Sequence, residues 1–281
     1  MLDFKECITE IKKIKTKSYC LIVGGQGTNN ARSPKIWNRV LKKNKIDCKM
    51  IPLEVKKKDL NKLLYFLKND SKFLGGAVAV PYKENVYKYL ENNLDIFTKK
   101  IGSVNCLYKE NTLRGINTDG LGFLETLKKH KINKNYKNII LLGFGGVGKS
   151  TLVYLKKFFS KKTNIYCSTR KNYSKKINNI GCIWINWKTK EKIFDKLNMI
   201  INATTLGYGN LNTKSPIKIT KSKELKLIYD IIYKPKNTLL IKNSKKLNIK
   251  TINGLEMNML QALFAIKKVF KNKVVIKNRL Y

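Results

Sequence analysis

Four apolar residues, Ile139-Ile140-Leu141-Leu142, run straight into Gly143-Phe144-Gly145-Gly146-Val147-Gly148-Lys149-Ser150. A buried strand that ends on clustered glycines and then opens a helix leaves few folds open. The glycines let the backbone approach phosphate oxygens, and the helix N-terminus brings a partial positive charge. The spacing fits two motifs. As G-x-G-x-x-G it is the first turn of a dinucleotide-binding unit; as G-x-x-x-x-G-K-[ST] it is a P-loop, for which Asp230 ends a plausible metal-binding strand.

The surrounding pattern alternates strands and helices, which predicts α/β architecture. Strands are expected over 19–23, 48–55, 73–80, 139–142, 164–169, 199–203 and 225–231. Ser33 and Pro34 read as an N-cap and first helical position, followed by Ile36, Trp37, Val40 and Leu41 on one face. Leu60, Leu63, Leu64 and Leu67 have the spacing of an amphipathic helix. A short helix is expected over 121–129, and a C-terminal helical stretch begins at Gly254, with Gln261 on the same side as Met257, Leu260 and Phe264.

Composition narrows the function less than the motifs do. The formal net charge is +41, yet only Arg32, Arg39, Arg114, Arg170 and Arg279 are arginines. Lysines spread evenly among Asn and Ile read as solvated positions, so no specific nucleic-acid partner is expected; the field would instead gather small anions. Cys7, Cys20, Cys48, Cys106, Cys167 and Cys182 form no C-x-x-C pair, and neither a metal nor a disulfide is expected. The lone histidine, His130, sits between lysines and reads as exposed. Acid–base chemistry is therefore expected from Lys, Asp, Glu or Tyr. No apolar run reaches the roughly 18 residues that span a membrane, and the first 17 residues lack the apolar stretch of a secretory leader, so a cytoplasmic protein is expected.

Three motifs precede the glycines: Val80-Pro81-Tyr82-Lys83-Glu84, Gly102-Ser103-Val104-Asn105 and Gly115-Ile116-Asn117-Thr118-Asp119-Gly120. Singly, Lys83 reads as a solvated lysine and Asp119 as a helix cap. A lysine beside a carboxylate, however, can shuttle a proton to or from a hydroxyl or carbonyl. Three more follow the glycines: Ile201-Asn202-Ala203-Thr204, Asp230-Ile231-Ile232-Tyr233, and Gly254-Leu255-Glu256-Met257 leading to Gln261-Ala262. In this order the seven resemble the shikimate dehydrogenase family, over roughly residues 18 to 270.

The resemblance implies two α/β domains separated by a cleft whose hinged closure excludes water. Residues 1–118 would form a substrate-binding domain, to which helices over 252–281 return, and residues 119–251 a Rossmann-type NADP-binding domain. It implies reversible hydride transfer between NADP and C3 of shikimate, within aromatic amino acid (chorismate) biosynthesis. Lys83 would be the acid–base residue, paired with Asp119. Ser33, Asn105, Asp119, Tyr233 and Gln261 would hold the substrate. Gly143, Phe144, Gly145, Gly146 and Val147 would cradle the pyrophosphate, with the nicotinamide end near Ile231 and Gly254. Thr169-Arg170-Lys171, where an acidic residue would suit NAD, instead suits the 2′-phosphate of NADP. The partner is a small molecule, shikimate or 3-dehydroshikimate, and the enzyme a monomer or homodimer.

Three positions depart from the family pattern. S-x-S-P appears as Ala31-Arg32-Ser33-Pro34, and N-V-T-V-P as Ala77-Val78-Ala79-Val80-Pro81. Each lost hydrogen bond is worth about 0.5–1.5 kcal/mol, or about 1.5–3 kcal/mol to a charged group. Thr28, Asn29, Asn30 and Arg32 are the nearby groups able to compensate. Besides shikimate, quinate or another hydroxylated acid is thus a second expected substrate. Phosphate-motif coincidence leaves a P-loop NTPase as the remote alternative. Intact Lys83 and Asp119 argue against a non-enzymatic role.

Overall fold

The computed structural model describes residues 1–276. The chain divides into two compact units: Met1–Thr118 together with the chain from Gln261 on, and Asp119–Leu260.

The first unit opens with α1 (Phe4–Lys12), whose start is fixed by a capping box: Asp3 accepts from the Glu6 N–H while Glu6 accepts from the Asp3 N–H. Its sheet holds β1 (Ser18–Gly24), β2 (Cys48–Glu54), β3 (Phe73–Val78), β4 (Cys106–Lys109) and β5 (Leu113–Ile116) in the order β2-β1-β3-β4-β5. β1 runs parallel to β2 and β3; β4 and β5 are antiparallel. α2 (Ser33–Lys43) buries Ile36, Trp37, Val40 and Leu41, and α3 (Leu60–Asn69) buries the four expected leucines. Each buried leucine contributes about 1.5–3 kcal/mol, so this periodicity alone fixes the helix face. α4 (Lys83–Tyr89) and α5 (Ile96–Ile101) follow β3.

Two expectations shift here. β3 ends at Val78: the Ala79 N–H makes the last ladder bond to β1, at Val23 O, and the Tyr82 N–H then closes a turn onto Ala79 O. Ser33 is not the cap of α2: Arg32 holds that place with helical backbone angles, and Ser33 is the buried first residue of the helix.

The second unit is a six-stranded parallel sheet: β6 (Asn138–Leu142), β7 (Asn164–Thr169), β8 (Ile183–Asn186), β9 (Met199–Asn202), β10 (Leu227–Asp230) and β11 (Lys250–Asn253). The order is β11-β10-β9-β6-β7-β8. The order therefore reverses between β6 and β9, and in such sheets ligands bind outside the carboxyl ends of the strands at that point. α6 (Asp119–Lys129) leads into β6, and α7 (Gly146–Phe158), α8 (Ser174–Asn178) and α9 (Leu239–Lys246) lie between successive strands. α10 (Leu255–Phe270) completes the chain's long helices. Residue 252, where the returning segment was expected to start, lies inside β11 and pairs with Tyr229 of β10. The division instead falls within α10. The end of that expected segment, 277–281, lies outside the described residues.

Candidate active site

Every residue expected to meet a cofactor lies just beyond, or at, a carboxyl end in the parallel sheet: Gly143 after β6, Thr169 at the end of β7, Ile231 after β10 and Gly254 after β11. The glycine turn is built tightly. Gly143 has φ +101, and a Cβ there would stand 2.9 Å from Ala203 O. A Cβ on Gly148 would meet Gly143 O at 2.4 Å, so α7 packs closer to the turn than any larger residue allows. A Cβ on Gly145 would meet nothing within 4 Å, so the backbone there faces open space. A tight turn, an open approach and a close helix contact are the three separate uses of the glycines in G-x-G-x-x-G. The first bond of α7 runs from Lys149 N–H to Gly145 O, which puts the positive end of the helix at the turn.

The P-loop reading fails on burial. Ser150 is 0% exposed, and its hydroxyl lies against α6, 2.6 Å from where a Cβ on Gly120 would be. Asp230 is also 0% exposed and is consumed by neighbours. Its carboxylate accepts from Asn202 Nδ2 at 3.0 Å, the Ile232 N–H at 3.1 Å and Thr238 Oγ1 at 2.6 Å. Burial pushes its pKa up to about 6, against the lowering effect of those three bonds. Neither side chain is exposed for a metal ion to meet. Asp230 instead ties the ends of β9 and β10 to α9. Beyond it, Gly254 takes the Ile231 backbone at a distance where a Cβ would overlap the Ile231 carbonyl, and its N–H donates to Ile232 O at 3.0 Å.

At the end of β7, Thr169 is buried while Arg170, Lys171 and Lys175 are exposed. No acidic residue occurs between 169 and 176, so nothing repels a phosphate there. The Tyr173 ring packs 5.5 Å from the Phe144 ring, joining this basic turn to the glycine turn. Phe144 is itself buried, and Lys149 Nζ lies 5.8 Å over its ring. Gly146 and Val147 form the first turn of α7. An open glycine turn beside an acid-free basic turn fits the pyrophosphate and 2′-phosphate of NADP.

In the first unit, Lys83 is the half-buried first residue of α4. Its carbonyl accepts the Val104 N–H at 2.9 Å, and the Val78 N–H donates to Asn105 O at 2.8 Å, so the Ser103-Val104-Asn105 segment is stitched to both ends of the β3–α4 turn. The buried Asn105 carboxamide accepts the Thr118 N–H at 2.7 Å and donates to Thr118 Oγ1 at 3.0 Å and Gln261 Oε1 at 3.2 Å. Asn117 donates to Ser103 O and Oγ, both at 2.9 Å. Ser103, Asn117 and Thr118 lie in the motifs with no role expected of them; Thr118 bonds Asn105 directly, and Asn117 ties the segment on which Asn105 sits to the one that carries Thr118. Thr28 Oγ1 donates to Gly25 O at 2.8 Å beside Ala79, so its hydroxyl proton is used within its own loop. In the second unit, Asp119 is the buried first residue of α6 and Tyr233 is half-buried. His130 is half-buried rather than exposed: Glu256 meets it at 2.8 Å and Lys129 also at 2.8 Å.

No disulfide joins the six buried cysteines. Among the described residues, no three His, Cys, Asp or Glu side chains gather as a metal would require, and no helix is long and apolar enough to cross a membrane.

Residues 23–107 match the family model described as the shikimate dehydrogenase substrate binding domain. A shikimate dehydrogenase (NADP(+)) from Clostridium botulinum is 34% identical over 252 residues, covering 86% of this chain and 93% of that protein. A solved shikimate dehydrogenase in complex with NADP+ is 26% identical with a TM-score of 0.81, covering 92% of each chain. Shikimate dehydrogenase 1 from Peptoclostridium difficile is 30% identical with a TM-score of 0.78, covering 93% of this chain and 94% of that one.

Proposed function

This chain belongs to the shikimate dehydrogenase family, and from that premise we propose that it catalyses the reversible NADPH-dependent reduction of 3-dehydroshikimate to shikimate. The reaction places it in aromatic amino acid biosynthesis. The observation that carries the cofactor choice is the open glycine turn at the sheet's order reversal, joined through Phe144 and Tyr173 to the acid-free Thr169-Arg170-Lys171 turn.

NADPH, when bound, supplies the hydride. Lys83 gives a proton to the C3 oxygen during reduction and takes it back during oxidation, with Asp119 as the second catalytic residue. The buried amides and hydroxyls around Asn105 and Gln261 suit a substrate rich in hydroxyls, because a site built to hydrogen-bond rejects analogues that lack them. Ser33, Asp119 and Tyr233 complete the proposed substrate set. Gly143, Phe144, Gly145, Gly146 and Val147 hold the pyrophosphate; Arg170 and Lys171 hold the 2′-phosphate; Ile231 and Gly254 take the nicotinamide end. The buried cysteines without disulfides suit a reducing compartment, and we place the enzyme in the cytoplasm.

Ala77 and Ala79 favour one second reading, activity on quinate or another hydroxylated acid, since both are half-buried and offer no hydrogen bond from their side chains. Adding 3-dehydroshikimate to the enzyme with NADPH tests the main reading. NADPH consumption is the expected result; none, with NADPH bound, overturns the substrate assignment.

A further inference from the structure

Trp184, in β8, belongs to none of the motifs, yet it reaches the basic turn. Its indole Nε1–H donates to Thr169 Oγ1 at 2.7 Å, and Thr169 Oγ1 donates in turn to the Lys171 carbonyl at 2.6 Å. Across the β7–β8 pair, Trp184 stands opposite Cys167, so its ring runs forward along the sheet to meet Thr169 two residues on. The relay uses the threonine hydroxyl fully in one direction: it accepts from the indole and donates to the backbone. The turn between Thr169 and Tyr173 is thereby pinned at one end by Trp184 and at the other by the Tyr173–Phe144 ring contact.

Arg170 and Lys171 are both exposed, so their reach is set by the backbone that carries them. We propose that Trp184 is a positioning residue for cofactor specificity: through Thr169 it holds the Arg170-Lys171 turn in the shape that receives the 2′-phosphate. The inference rests on the NADP reading above. It assigns the discrimination between NADP and NAD to an indole N–H on a neighbouring strand, as well as to the two cations. A ligand without the 2′-phosphate does not feel the relay.

The test is the dissociation constant of NADPH and of NADH for the full chain and for Trp184→Phe, Thr169→Val and Thr169→Ser. Trp184→Phe keeps an aromatic ring but removes the indole donor together with the pyrrole ring that carries it; Thr169→Val removes the same bond without touching the ring. Trp184→Phe is expected to weaken NADPH about threefold to tenfold, the weight of one neutral hydrogen bond, while NADH stays within about twofold. Thr169→Val should do the same and Thr169→Ser should restore NADPH binding. Combined with Arg170→Asp, which by itself should weaken NADPH far more than NADH, Trp184→Phe should add nothing further. Equal weakening of both cofactors, no weakening of either, or an additive double variant overturns the inference. A wild-type chain that does not prefer NADPH to NADH overturns the cofactor reading itself, and the inference with it.

Discussion

Asn105 and Gln261 stand 156 positions apart in sequence, and the carboxamide of one donates to that of the other at 3.2 Å. Both residues share their oxygens with Thr118, whose backbone N–H is buried behind Asn105. Asn105→Ala should therefore leave a buried donor unpaired and cost about 1–3 kcal/mol of stability. Gln261→Ala should spare most of that stability, raise the KM for shikimate and leave the NADPH dissociation constant unchanged. Urea unfolding and steady-state kinetics separate the two effects. A Gln261→Ala enzyme with unaltered KM argues against Gln261 as a substrate ligand.

Lys83→Ala should lower kcat by about 10²–10⁴, the usual weight of a general acid–base group. NADPH binding should persist, because the glycine and basic turns belong to the other compact unit. Single-turnover measurement with saturating cofactor reads the chemical step directly. A rate within a few-fold of wild type removes Lys83 from the catalytic role.

Asp230 gives a pH dependence with a definite sign. Burial raises its pKa from 3.8 to about 6 despite bonds from Thr238, the Ile232 N–H and Asn202. The folded state thus holds the proton more tightly than the unfolded chain. The resulting stabilisation is complete below pH 3.8 and is lost as pH rises through about 6. Asp230→Asn abolishes this titration. The stability of wild type minus that of the variant should fall across this window, on the order of 3 kcal/mol, and then level off. A difference that stays constant from pH 4 to pH 7 contradicts the assignment.

Local chemistry made much of this fold legible. The leucine spacing of 60–67 specifies a helix face wherever it packs, and strand β7 is bounded by Lys-rich and Arg-Lys segments that mark both its ends. The glycine turn was ambiguous in sequence because Lys149 and Ser150 satisfy a second motif by composition alone. Burial of Ser150 and Asp230 resolves it, and burial is a tertiary property. The same limit hid His130, which lies among lysines in sequence but meets Glu256 126 positions later. β8 escaped because four residues are too few to show a period and none of them is fully buried, and with it went Trp184. Ser33 lies one position inside the helix rather than at its cap, because Arg32 precedes it with helical backbone angles and makes no side-chain cap bond. Ala77 and Ala79 remain legible as departures, and the Thr28 hydroxyl beside Ala79 donates to its own loop.

The most direct test of the central claim is the reduction of NADP by the purified chain, with shikimate and with quinate compared by kcat/KM. Clear turnover with shikimate is expected, at a value well above that for quinate. Turnover on quinate alone, or on neither acid while NADPH binds, contradicts the claim.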